Sequence, residues 1–379
     1  MVLRPHYADG GTVSHTIKEI IIQQNNNDQE MKVKHLLAAS LMMLGTRNIC
    51  AQKSANSIFN AIKERVSLSG YAQAGFSSLW LPTASSEKEN YNTFDVKRIT
   101  LRANVAITDK WSVTFISDFA KRYTNLELYT SFRTCSGFGI RLGQFKTAFS
   151  IENQLSPTTI ETISCGSMAT NFLAAGNGSD PLMGVQSGRD VGLEIYGDLF
   201  NEILGYRLGV LNGQGINTLD GSKHKTLEGS LTLRPIECLS FTGSFMSGKT
   251  AALNDAPIKI NSKQIMAGDL YDRSRWSVGG MFRSKYFDLR SEYLEGKDDD
   301  MISKGFYVTG VGRLFKNLDI IGSYDFMDLY ERQQVHNITA GLQYWFFPKC
   351  RLQAQYVLSN PKGEYNNTHA LLTQVQVAF

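Results

Sequence analysis

Residues 97–107 read Lys-Arg-Ile-Thr-Leu-Arg-Ala-Asn-Val-Ala-Ile, and no other stretch limits the fold of the chain so tightly. Ile99, Leu101, Ala103, Val105 and Ile107 fall on one side of an extended backbone, and Arg98, Thr100, Arg102 and Asn104 on the other. A period of two belongs to a β-strand. One apolar face against one charged face means a strand standing between two different solvents. Similar alternation, less regular, recurs along the chain. Taken together the strands are expected at 66–79, 97–107, 111–120, 125–133, 138–145, 190–198, 204–211, 226–234, 239–246, 275–283, 287–294, 305–313, 318–326, 335–346, 351–358 and 371–379.

Other architectures fit poorly. Mean hydropathy is -0.21, and the longest uncharged apolar run is 36–45. A polytopic helical membrane protein needs repeated apolar stretches of about 20 residues. With 42% hydrophobic and 20% charged residues, disorder is also a poor reading. The 33 Gly, 21 Phe and 16 Tyr against 8 Pro lean towards a large antiparallel β-protein.

The connections decide between β architectures. Short ones at 108–110, 134–137, 235–238, 284–286, 314–317 and 347–349 mostly alternate with long ones at 80–93, 147–189, 213–225, 248–274 and 359–370. Short turns at one end, long loops at the other and an even strand count describe a bacterial outer-membrane barrel. The expected fold is therefore all-β, a 16-stranded antiparallel transmembrane β-barrel. Fourteen strands is the alternative if 305–313 and 335–346 are bounded differently.

Ahead of the barrel, Met31, Lys32 and Lys34 precede the apolar run 36–45, and Ile49-Cys50-Ala51 closes it with small residues. Residues 31–51 thus read as a signal peptide, 1–30 as an over-extended N-terminus, 52–65 as a periplasmic N-terminal segment and 66–379 as the barrel. Removing 1–51 lowers the formal charge from +4 to +3, too balanced a chain to point to nucleic acid. Cys135, Cys165, Cys238 and Cys350 form no C-x-x-C pair, and their disulfide state is not legible. His224, His336 and His369 fall in no catalytic motif, so no catalytic residue, metal or cofactor is expected.

At the other end, Leu371, Thr373, Val375, Val377 and the terminal Phe379 share one face. A last strand ending in an aromatic resembles the signal read by the barrel-assembly machinery. Trp111, Trp276, Tyr344, Trp345, Phe346 and Phe347 lie near strand ends, where interface girdles sit.

Alternation also assigns the charges. Arg98, Arg102, Arg141, Arg207, Arg275, Arg290 and Arg351, with Glu127 and Glu194, are expected to line the pore. Arg133, Arg234, Arg283 and Arg313 fall on the same face at the short-turn end, and Asp118, Asp198, Glu228, Asp288 and Glu292 complete the acidic set. Eleven arginines against seven carboxylates give a modest anion preference, and a guanidinium fork suits phosphate or carboxylate.

The stretch Gly143-Gln144-Phe145-Lys146-Thr147-Ala148-Phe149-Ser150-Ile151-Glu152 resembles the fifth strand and third-loop start of the phosphate-selective porins O and P. Gly188-Arg189-Asp190-Val191-Gly192-Leu193 is similar to that family's return into the barrel, and 206–215 to its next strand and glycine-rich turn. The resemblance runs over 66–379. It implies a homotrimer of barrels in outer-membrane lipid, each with a long third loop folded inward, placing Ser150, Glu152, Asn153 and Gln154 at the constriction. One departure stands out: the third loop carries Glu152, Glu161 and Asp180 against Arg189 alone, where selective members of the family have a lysine-rich inward loop. The function expected is passive diffusion of small solutes, with a preference for small anions among which phosphate is one candidate, across a Gram-negative outer membrane. The alternative is a structural or adhesin-type barrel plugged by its third loop.

Overall fold

The computed structural model describes residues 64–80, 91–174, 180–220, 222–256, 264–362 and 367–379. The expectations for 1–30 and 31–51, and nearly all of that for 52–65, lie outside the described residues.

From Val66 on, the chain builds sixteen strands. The first eight are β1 (Val66–Trp80), β2 (Tyr91–Ala106), β3 (Trp111–Asp118), β4 (Thr124–Cys135), β5 (Phe138–Lys146), β6 (Arg189–Leu199), β7 (Leu204–Leu211) and β8 (Thr226–Ile236). The others are β9 (Leu239–Ala251), β10 (Leu270–Arg283), β11 (Phe287–Asp298), β12 (Met301–Phe315), β13 (Leu318–Leu329), β14 (Gln333–Phe347), β15 (Cys350–Pro361) and β16 (Thr368–Ala378). Two short helices, α1 (Ile151–Gln154) and α2 (Met168–Leu173), lie between β5 and β6. Each strand pairs with its chain neighbours, and β1 pairs antiparallel with β16 to close the barrel. Closure removes the free sheet edges that an open sheet would present. Beyond the last ladder pair, Phe379 and Gly70 exchange both backbone hydrogen bonds at 3.0 and 3.1 Å.

Register sorts the side chains. Gln73 stands opposite Gln376, Gln376 opposite Arg351, and Arg351 opposite Trp345, so these four share the inward face. On the outward face Leu193, Leu208, Leu231, Phe241, Val278, Leu289, Ile320, Leu342, Leu352 and Val375 are exposed. So broad an apolar belt is tolerated only against hydrocarbon. Among the described residues no helix is long and apolar enough to cross a membrane, and the crossing elements are the strands.

Two expectations need correcting. The strands β9 to β12 run further than their hydropathy pattern: β11 continues to Asp298, and only Asp299 and Asp300 separate it from β12. Outward positions there are Glu295, Lys297 and Lys304, so the apolar alternation ends where the strands leave the hydrocarbon while the backbone ladder continues. Trp345 does not join an outward girdle. Its indole N–H donates to Asp319 at 2.9 Å and Arg351 lies over its ring at 5.3 Å, on the inward face. Trp111, Trp276, Tyr344, Phe346 and Phe347 are exposed.

Candidate functional site

A barrel of sixteen strands is too wide for wall side chains to fill, so what occupies its middle decides what it does. Here that is the connection between β5 and β6, described over residues 147–174 and 180–188. Its neck is tied: the Thr147 N–H donates to the Gly188 carbonyl at 3.0 Å, and Asn153 Nδ2 donates to the same carbonyl at 3.1 Å. Gly188 has φ +63°, and a Cβ there would lie 1.7 Å from Asn153 Oδ1, so only glycine fits.

From the neck the loop runs against the inward side chains of β8 to β16. Ala148 N–H donates to Glu228 Oε2 at 2.6 Å, and Ser150 N–H to Ser244 Oγ at 3.0 Å. Glu292 accepts from Ser150 Oγ and from the Ile151 N–H, both at 2.9 Å. Further on, Arg351 donates to the Ile160 carbonyl at 2.7 Å, Gln355 to the Glu161 carbonyl at 2.7 Å, and Ile163 N–H to Gln355 Oε1 at 2.8 Å. Phe149, Ala169, Phe172 and Leu173 of the loop bury against Leu294, Tyr307 and Met327 of the wall. Loop and wall form a small dry core inside the barrel.

The seven arginines expected to line the pore divide accordingly. Arg275, Arg290 and Arg351 are 2%, 5% and 1% exposed, covered by the loop. Arg275 binds both oxygens of Asp298, at 2.8 and 2.9 Å, and the Leu173 carbonyl at 3.3 Å. Arg290 bridges Glu152 at 3.1 Å and Glu161 at 2.7 Å. One guanidinium thus serves two of the loop's acidic groups, so the trio keeps one negative charge. Asp180, the third, meets Arg273 at 2.7 Å. Burial alone would raise the Asp180 carboxyl, but Arg273 and Arg275 hold it below the usual carboxylate range.

Arg98, Arg102, Arg141 and Arg207 lie on β2, β5 and β7, on the side the loop leaves open. There a cavity of about 470 Å³ is bordered by Arg102, Arg141, Lys146, Arg189, Arg207 and Lys349, with Glu127 as its one acidic side chain. Glu194, fully buried, pairs with Arg141 at 3.0 Å and Arg207 at 2.8 Å, and Glu127 pairs with Arg189 at 2.8 Å. Arg98 borders a smaller adjoining cavity and donates to Gln73 at 3.2 Å. Arg102 and Lys349 make no ion pair with any described residue. Of the four expected constriction residues, Gln154 borders the larger cavity and accepts from Arg207 at 2.6 Å. Ser150 is 0% exposed within the loop–wall contact, and Glu152 and Asn153 face the smaller cavity of about 100 Å³.

Sequence reasoning missed Lys146 and Lys349. Lys349 stands in the β14–β15 turn, where alternation assigns no face. Lys146 ends β5 and reaches the Leu155 carbonyl at 2.6 Å only because the chain turns inward after it. Among the described residues all four expected cysteines are free, and no cluster of His, Cys, Asp or Glu could hold a metal ion.

A closed sixteen-stranded barrel with an apolar outer belt, a polar inner wall and an inward loop defines an outer-membrane channel. The chain belongs to the family of phosphate-selective porins O and P, whose family model matches residues 66–379, the whole barrel. No curated protein sequence matches the chain. Its fold is similar to that of solved outer-membrane proteins. One is an anion-selective porin from Comamonas acidovorans, at TM-score 0.62 and 13% identity over 83% of this chain and 99% of that one. The outer membrane channel DcaP of Acinetobacter baumannii matches at TM-score 0.58 and 14% identity over 83% and 97%. OmpT of Vibrio cholerae in its trimer form matches at TM-score 0.58 and 12% identity over 83% and 100%. The protein is a porin of a Gram-negative outer membrane, a channel for small solutes.

Proposed function

We propose that the channel favours small anions, and that they pass between the third loop and strands β1 to β7. The cationic border of the 470 Å³ cavity carries this reading, six basic side chains against one acidic. Arg102, Arg141 and Arg207 form the selective wall, with Arg98 in the adjoining cavity and Glu127 and Glu194 holding guanidinium groups in place. Arg275, Arg290 and Arg351 act on the solute only indirectly, by fixing the loop. A selective wall of fixed cations draws anions in without binding them tightly enough to stop flow. The fold-mates support the reading, one being described as anion-selective and another as a trimer. A homotrimer of independent pores follows the same pattern.

The test is the reversal potential of the protein in planar bilayers under a potassium chloride gradient, with inorganic phosphate then added. Anion selectivity with phosphate block supports an oxyanion channel. A reversal potential of cation-selective sign refutes the proposal. A folded barrel that conducts no current would favour a plugged, structural one.

A further inference from the structure

The same cavity has a second chemical character. Tyr71 on β1, Ile116 on β3, Leu126 on β4 and Pro157 on the loop border it beside the cations of β5 to β7. Inward positions of β3 are otherwise polar: Ser112, Thr114 and Asp118 flank Ile116 along that face. Leu126 arrives there by a backbone irregularity. Ile116 pairs with Glu127 and Ser117 with Asn125, so Leu126 is the extra residue of a β-bulge. A bulge re-aims a side chain that strict alternation would send elsewhere. Directly across the ladder from Ile116 stands Arg102, the guanidinium without an ion pair to any described residue.

We infer that this cavity is built for small organic anions with an apolar face, such as aromatic or branched carboxylates, in preference to inorganic oxyanions. This rests on the anion-channel reading and narrows it. An inorganic phosphate is hydrated on every side and gains nothing from Ile116 or Leu126. A benzoate-like solute can set its carboxylate against Arg102 while its ring displaces water from the apolar sector. Covering a few tens of Å² of apolar surface at about 25 cal/mol per Å² corresponds to a preference of about fivefold to tenfold over a carboxylate of one or two carbons. Such a preference is weak enough for the solute to leave again, as conduction requires.

The experiment measures block of the chloride current through the full protein in a planar bilayer by benzoate, acetate and inorganic phosphate, added separately. In the wild type, benzoate should block at about fivefold to tenfold lower concentration than acetate. Ile116→Ser with Leu126→Ser should bring benzoate block close to that of acetate and leave phosphate block and the chloride reversal potential unchanged. Comparison of cyclohexanecarboxylate with acetate on the wild-type protein gives a second reading that needs no variant to fold. Benzoate and cyclohexanecarboxylate equal to acetate in an anion-selective channel would overturn this inference and leave the anion channel standing. A cation-selective reversal potential would instead remove the reading beneath it.

Discussion

Replacing Arg290 by methionine tests whether the loop is held by its ion pairs. Arg290 is 5% exposed and is shared by Glu152, 1% exposed, and Glu161. Removing one partner of a buried pair costs about 3–5 kcal/mol, because the carboxylates left behind have lost both water and countercharge. Against this stand the neighbouring anchors: Gln353 and Gln355 donating to the Glu161 carbonyl at 2.8 and 2.7 Å, and Ile151 N–H to Glu292 at 2.9 Å. Two neutral hydrogen bonds at about 0.5–1.5 kcal/mol and one charge-assisted bond at about 1.5–3 kcal/mol sum to nearly the same figure. These nearest anchors already offset the loss, and Arg351 on the Ile160 carbonyl, Arg275 on the Leu173 carbonyl and the apolar core of Phe149, Phe172 and Leu173 add to them, so the loop should stay docked and loosen only around Glu152 and Glu161 while the barrel ladder stays intact. In planar bilayers Arg290→Met should show added current noise. The reversal potential should move towards cation selectivity, since Glu152 and Glu161 then face the water. Arg290→Lys, which keeps the charge and loses the fork, should lie between variant and wild type. A single, quiet, wild-type conductance with unchanged selectivity in Arg290→Met would refute the reasoning.

Three other perturbations separate the parts of the molecule. Gly188→Ala forces a left-handed φ on a residue with a Cβ, at about 1–2 kcal/mol, and drives that Cβ into Asn153. Limited proteolysis within 147–188 should accelerate by about tenfold, and equal digestion rates would argue against a tied neck. Arg102→Gln and Lys349→Gln remove cations that carry no ion pair to described residues, so each should weaken anion selectivity while the heat-modified gel mobility of the folded barrel stays as in wild type; a loss of folding would show them to be structural. Phe379→Ala keeps the paired backbone groups at Gly70 and removes only the ring. It should slow assembly in the presence of the barrel-assembly machinery and leave unassisted refolding nearly unchanged, whereas slowing of both would make the ring a packing element.

The strands were legible because one physical rule governs their middle thirds: inward residues meet water, outward residues meet hydrocarbon. All sixteen could be placed in order on that rule, from 97–107 outwards to 371–379. Their ends could not, because beyond the hydrocarbon Glu295, Lys297 and Lys304 take outward positions that alternation reads as loop. Trp345 escaped for a related reason. An aromatic near a strand end looks the same whether it meets lipid or, as here, a guanidinium and a carboxylate on the inner wall. Leu126 lay beyond reach altogether, since a bulge shifts the parity on which every inward assignment depends.

The loop shows where counting charges goes astray. Along the sequence Glu152, Glu161 and Asp180 look like an argument against phosphate selectivity. In three dimensions Arg273 pairs with Asp180 and the single Arg290 is shared by Glu152 and Glu161, which leaves one negative charge there, and the wall arginines so used are lost to the solute as well. What a passing ion meets is the remainder. Arg189 is cancelled by Glu127, Arg141 and Arg207 share Glu194, and Arg102 and Lys349 stand without an ion pair to any described residue. The two populations differ in their response to salt. Buried pairs are barely screened, but cations facing water lose influence beyond a Debye length, about 10 Å at 0.1 M and about 3 Å at 1 M. Anion selectivity should therefore fall steeply with ionic strength while the loop stays in place and the conductance per ion stays orderly. A channel whose loop charges faced the lumen would instead change its selectivity and its conductance noise together.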